Sequence, residues 1–224
     1  MLNTLLIENS RIDNKVLRNT FALLGTTMIP TLIGALIGLN MNFSFMAASP
    51  ILSSLFMLGF SFGMLYLIRL MSNNAIGIIL LYVFTFVLGV FLGPILQYAL
   101  HFSNGGKIIA LAGASTAIIF ITLSVIASTT RRNFSFLGNF LSVGIILLII
   151  TSLANLFLQI PIMSLVLSGV SVLLFSGFIL YDINRIVHGG ETNYIMATVS
   201  IYMSIYNLFV NLLQIMLAIL GNRN

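Results

Sequence analysis

The sequence has no cysteine and no tryptophan, only two histidines, and charged side chains at 6% of its 224 positions. The lack of cysteine excludes a disulfide framework, a thiolate metal site and a cysteine nucleophile. The lack of charge excludes more. An ordinary soluble domain is roughly one-quarter charged, and nine Lys and Arg with four Asp and Glu cannot clothe a chain of this length in water. Disorder is excluded as well, because it needs low hydrophobicity and high charge. What the chain has instead is apolar side chains, 59% of the total, and a mean hydropathy of +1.15. Most of its outer surface must face lipid.

A net charge of +5 would suggest nucleic acid in a soluble domain. Here the cations lie at the ends of apolar stretches, where orientation in a bilayer explains them, so membrane lipid is the expected partner and nucleic acid is not. A spanning helix needs about 20 mostly apolar residues. Broken at charges and at Asn, Gly and Pro clusters, the sequence yields such stretches at 19–39, 46–68, 75–99, 107–129, 135–157, 161–182 and 194–220. The expected fold class is therefore an all-α polytopic membrane protein with seven transmembrane helices. Residues 1–18 form an irregular N-terminal tail, and 19–224 form one transmembrane domain. The first span is about twice the length of a signal-peptide core and is expected to be retained.

With the N-terminus inside, Arg11, Lys15, Arg18, Arg69, Arg131, Arg132 and Arg185 fall on the cytoplasmic side, and only Lys107 and Arg223 fall outside. The positive-inside rule then predicts an N-in, C-out arrangement. Pro30 and Pro94 lie within spans one and three and should kink them. Gly34 with Gly38, Gly59 with Gly63, and Gly89 with Gly93 each form a GxxxG pair, the spacing that lets helices approach closely in lipid.

Span seven carries Asn193, Ser200, Ser204, Asn207, Asn211 and Gln214 in one stripe at helical spacing. Such a stripe cannot face hydrocarbon without unmet hydrogen bonds, which predicts that the last helix is central in the bundle. With no charge in the stripe, interhelical hydrogen bonding is the simpler role, and a polar path through the bundle is the alternative. One charge stands apart. Asp182 closes span six, where an acid should reach water or find a partner. Arg185 is an i,i+3 candidate for that partner, and a titratable site at the mouth of the bundle is the alternative. In the loop that follows, Glu191 suits the start of the next helix and His188 reads as solvated. No paired carboxylates, activated nucleophile, metal-ligand cluster or nucleotide loop accompanies these residues, so no enzyme, cofactor or metal is expected.

The segment Ser176-Gly-Phe-Ile-Leu-Tyr-Asp182-Ile-Asn-Arg-Ile-Val-His188-Gly-Gly-Glu-Thr-Asn-Tyr194, followed by Ala197 to Phe209, resembles the signature of the Bax inhibitor-1 (TMBIM) family. Lys15 to Thr20, Gly93 to Leu96, Thr129 to Gly138 and Asn155 to Pro161 add to it. The resemblance implies a seven-helix bundle with a central last helix, and it runs closest to a bacterial inner-membrane member that modulates the FtsH protease. FtsH is thus the implied partner and the bacterial inner membrane the implied location. Some members carry a pH-sensitive calcium leak governed by two aspartates. Asp182 matches the first, whereas Ser204 stands at the second and cannot share a proton as a carboxylate would. Family members also pair the helix-six acid with an Arg of helix two, for which Arg69 is the candidate. Two functions follow from the resemblance: an inhibitor of FtsH proteolysis, or a cation leak with Asp182 as its titratable element.

Overall fold

The computed structural model describes the backbone of residues 2–44, 48–130 and 132–221, with side chains from Lys15 onward in those segments. Among the described residues the helices are α1 (Leu2–Leu39), α2 (Pro50–Leu70), α3 (Ala75–Phe91), α4 (Gly93–Leu100), α5 (Gly105–Thr129), α6 (Ser135–Leu158), α7 (Pro161–Val187) and α8 (Tyr194–Leu220). With α3 and α4 taken together, seven helical segments are long and apolar enough to cross a bilayer.

Three boundaries differ from those expected. Helix α1 starts at Leu2, so residues 2–18 are helical rather than irregular, and they run without a break into the first span and through Pro30. The third span is interrupted at Leu92, and Gly93-Pro94 opens α4, where the missing proline N–H leaves no bond unmade. Helix α7 does not stop at Asp182 but runs five residues further, to Val187. Gly189, at φ 71°, supplies the left-handed residue that ends it. The Gly190 N–H returns to the Arg185 carbonyl at 2.8 Å and the Gly189 N–H to that of Ile186 at 3.1 Å. That pair of bonds is a Schellman stop, so the Gly-Gly dipeptide terminates the helix, not the acid.

The loops gather at two ends. At one end Asn193 donates to the Ser72 carbonyl, and Asn184 donates to that of Arg132. The α2–α3, α5–α6 and α7–α8 loops are thereby held together. At the other end Gln97 donates to the carbonyls of Gly38, Leu39 and Met41, and Asn104 to that of Leu220. Arg69, Arg132 and Arg185 belong to the first end and Lys107 to the second. The side chain of Arg11, together with Arg131 and Arg223, lies outside the described residues.

Helix α8 packs against α1, α2, α3, α5 and α7, which makes it the central element. Helix α6 is held outside it, on α7 and α2. The tightest seam joins α1 to α3. A Cβ on Gly34 would overlap the Phe86 carbonyl oxygen, one on Gly89 that of Thr31, and one on Gly93 would come within 2.6 Å of the Gly38 carbonyl. Two of the three GxxxG pairs thus face each other. Gly59 and Gly63 on α2 have nothing within 4 Å, so the third pair makes no close approach.

Candidate functional site

The tight α7–α8 turn fixes an antiparallel register in which Asp182 and Ser200, equidistant from Glu191, lie opposite each other. Ser200 Oγ donates to Asp182 Oδ2 at 2.6 Å. Asp182 is 7% exposed. One turn on, buried Ser204 donates to the Ser200 carbonyl at 3.1 Å. Ser204 thus bonds its own helix and makes no described bond to Asp182.

Neither expected cation meets Asp182. Arg185 turns away to Glu191, Nη2 to Oε2 at 2.9 Å, while its Nε donates to the Gly190 carbonyl at 3.0 Å. The reason is geometric: the Schellman turn brings Gly190 and Glu191 back over Arg185, and Glu191 is more accessible than the buried acid. Arg69 is exposed near the end of α2 and has no ion pair among the described residues. Glu191 also accepts the Asn193 N–H at 3.0 Å, so it organises the loop. The cap of α8 is Asn193, whose Oδ1 takes the N–H groups of Ile195 and Met196.

The polar stripe divides along its length. Asn193 joins the α2–α3 loop and Ser200 joins α7, whereas Ser204 bonds its own helix. Asn207 and Asn211 donate to the carbonyls of Met203 and Asn207, both at 2.8 Å on their own helix. Gln214 is exposed and accepts a bond from Ser168 of α7 at 2.8 Å. Of the stripe only Gln214 is exposed, and the others are buried or half-buried. A side-chain amide one turn from a helical carbonyl spends one N–H locally and keeps a second N–H and its oxygen for other partners.

Asn184 is the residue that sequence reasoning missed. It is 1% exposed, and its Oδ1 accepts the Phe134 N–H at 2.8 Å. Its Nδ2 donates to the carbonyls of Arg132 at 3.0 Å and Ala127 at 3.4 Å. One amide thereby anchors the whole α5–α6 connection. The available signal was an Asn two residues from Asp182 within the same apolar helix. His188 is exposed, and its Nδ1 lies 2.8 Å from the Asn184 carbonyl, so Nδ1 carries the proton. Beside it opens a cleft of ≈ 200 Å³ lined by residues of both connections. No group of three or more potential metal ligands occurs among the described residues.

Seven spanning segments with the last one central, and a buried acid at the end where three loops meet, define a multi-pass membrane protein of helical-bundle type. The chain belongs to the Bax inhibitor-1 family: the family model "Inhibitor of apoptosis-promoting Bax1" matches residues 13–222. It is 43% identical over 203 residues to the "Modulator of FtsH protease YccA" of Escherichia coli K12, covering 91% of this chain and 90% of that one. The corresponding protein of a second Escherichia coli strain is named "Inner membrane protein YccA". An uncharacterized protein of Neisseria meningitidis serogroup A is 41% identical over 210 residues, 93% of this chain and 92% of its own. A membrane protein of Vibrio cholerae is 39% identical over 219 residues, 97% and 95% of the two chains. The expected inner-membrane location agrees with these relatives.

Proposed function

We infer that the chain is a regulatory inner-membrane protein that binds an FtsH-type protease and restrains its proteolysis. The observation that carries this reading is its likeness, over nine-tenths of both chains, to a protein named for modulating FtsH. Helix α1 adds a physical route. Its 38 residues span about 57 Å, far more than a hydrocarbon core of roughly 30 Å. The first spanning segment starts at Lys15, so residues 2–14 extend the helix by about 20 Å beyond it. The positive-inside rule puts this extension, with Lys15 and Arg18 at its base, on the cytoplasmic side. There it is available to a protease that draws in substrates by exposed segments.

The full chain and a variant lacking residues 2–14 should be co-purified with FtsH from mild detergent. The full chain is expected to retain the protease and to slow degradation of a membrane substrate, and the truncated one to slow it less. Failure of both to retain FtsH would remove the reading.

A second reading, a cation leak that carries calcium, draws on one feature. Asp182 is a buried acid whose described partner is a serine hydroxyl, and an ionisable group kept at such cost inside a membrane protein is a candidate for function. On that reading, proteoliposomes show calcium flux that varies with pH and falls to background in Asp182→Asn. Background flux from the unaltered chain between pH 5 and 8 would end it.

A further inference from the structure

The cleft between the start of α6 and the end of α7 is lined by Asn133, Ser135, Tyr181, Asn184, Arg185 and His188, with Gly190 at its edge. Its chemistry is one-sided because the structure has already consumed most of the acceptors. Asn133 Oδ1 is taken by the Ser135 N–H at 2.9 Å and Asn184 Oδ1 by the Phe134 N–H at 2.8 Å. The Gly190 carbonyl is taken by Arg185 Nε at 3.0 Å. What is left over is donors. Asn133 Nδ2, the hydroxyls of Ser135 and Tyr181, and Arg185 Nη1 make no hydrogen bond within the described structure, and all belong to residues on the cleft wall. His188 donates its Nδ1–H to the Asn184 carbonyl, so its free Nε2 is an acceptor and does not add to this set. Exposed Arg132 adjoins Asn133, and Arg185 keeps Nη1 free while Glu191 takes Nη2; Asp182, next to Tyr181, is buried and accepts from Ser200. A cavity that offers several N–H and O–H groups beside a guanidinium selects an anion with several oxygens.

The position of the cleft says which kind of anion. It opens where α6 enters the membrane, and the outer face of that helix carries Phe136 and Phe140, 70% and 69% exposed. Phenyl rings carry no polar tip, so on the outer face of a spanning segment they meet acyl chains. An anion held here therefore has apolar surface directly beneath it, where acyl chains would run along α6. We propose that the cleft is a binding site for the phosphate of an anionic phospholipid, with Tyr181, Ser135 and Arg185 as its donors. Such a lipid would bridge the α5–α6 and α7–α8 connections at the end of the bundle where Asp182 lies.

The full chain, purified and delipidated in detergent, should be titrated with phosphatidylglycerol, with diacylglycerol of the same acyl chains and with inorganic phosphate. Bound lipid is then read by native mass spectrometry. Phosphatidylglycerol is expected to bind about tenfold more tightly than diacylglycerol, which lacks the phosphate, the ratio set by one hydrogen bond to a charged group. Inorganic phosphate at millimolar concentration should fail to displace it. Tyr181→Phe and Ser135→Ala remove donors that bond nothing else, and together they should abolish the preference while leaving the melting temperature unchanged. A preference that survives in the double variant would overturn the site. Displacement by inorganic phosphate, with no advantage for phosphatidylglycerol, would overturn the lipid as its occupant.

Discussion

Gly89→Leu should separate α1 from α3 and cost the protein more than about 3 kcal/mol, the upper range of overpacking. Gly89 meets the Thr31 backbone across the seam, and backbone cannot rotate out of the way as a side chain can. The seam is doubly committed, because Gly34 meets Phe86 and Val90 in the same manner. A shift of α1 would also break a bond to the central helix. Thr31 Oγ1 donates to the Thr27 carbonyl at 2.9 Å, so at its 2.8 Å contact with Tyr202 the tyrosine is the donor. Tyr202 is 1% exposed, and its hydroxyl would be left with the Thr85 carbonyl at 3.4 Å as a longer, weaker acceptor. Alanine gives a sharper test because it reverses sign with position. Gly89→Ala already overlaps the Thr31 carbonyl and should destabilise by about 1–3 kcal/mol. Gly59→Ala meets nothing within 4 Å and should be neutral, or stabilising by up to about 1 kcal/mol from helix propensity. Unfolding of the purified variants in dodecyl sulfate would read all three. Equal effects at Gly59 and Gly89 would mean that the seam does not hold the bundle together.

That contrast marks how far sequence could go. The length of each span is dictated by the bilayer, so apolar runs alone located the seven spanning segments and put most of their ends within a few residues. GxxxG spacing identifies a smooth helix face but carries no information about what lies opposite. Gly59 and Gly34 read alike until the helices are placed. At Asp182 the i,i+3 rule considered only its own helix, whereas its partner is on the next one. The register was nonetheless legible: a Gly-Gly turn centred near Glu191 sets residue 182 against residue 200. Likewise the stripe on α8 was correctly periodic, yet periodicity gives direction and not demand. Asn207 and Asn211 each place one donor on their own helix, which no pattern of spacing distinguishes from bonding across an interface. The helical extension at residues 2–14 was illegible for a different reason. Polarity there reads as tail, but continuity with an apolar span supplies the nucleus that an isolated helix lacks.

Asn184→Asp is expected to damage the site more than Asn184→Ala, although aspartate is the closer match in shape. The amide holds the α5–α6 connection with both of its ends, accepting from Phe134 N–H and donating to the Arg132 and Ala127 carbonyls. Alanine leaves a small void and strands groups in the connection, each costing about 1–3 kcal/mol if buried. The connection can recover part of that by opening to water. Aspartate keeps the acceptor for Phe134 but turns a donor into an acceptor facing two carbonyl oxygens, at 3.0 and 3.4 Å in the native structure. It also adds a charge to a position 1% exposed, two residues from Asp182. Burial of an unpaired charge is the more expensive fault. Both substitutions should loosen residues 130–134 and raise their protease sensitivity, with Asp the less stable in dodecyl sulfate titration. They should also weaken lipid binding at the neighbouring cleft, because Asn133 and Ser135 are positioned by the connection that Asn184 holds. The opposite order, with Asp near native and Ala strongly destabilised, would show that the Phe134 bond alone fixes the loop and that the two carbonyl bonds contribute little.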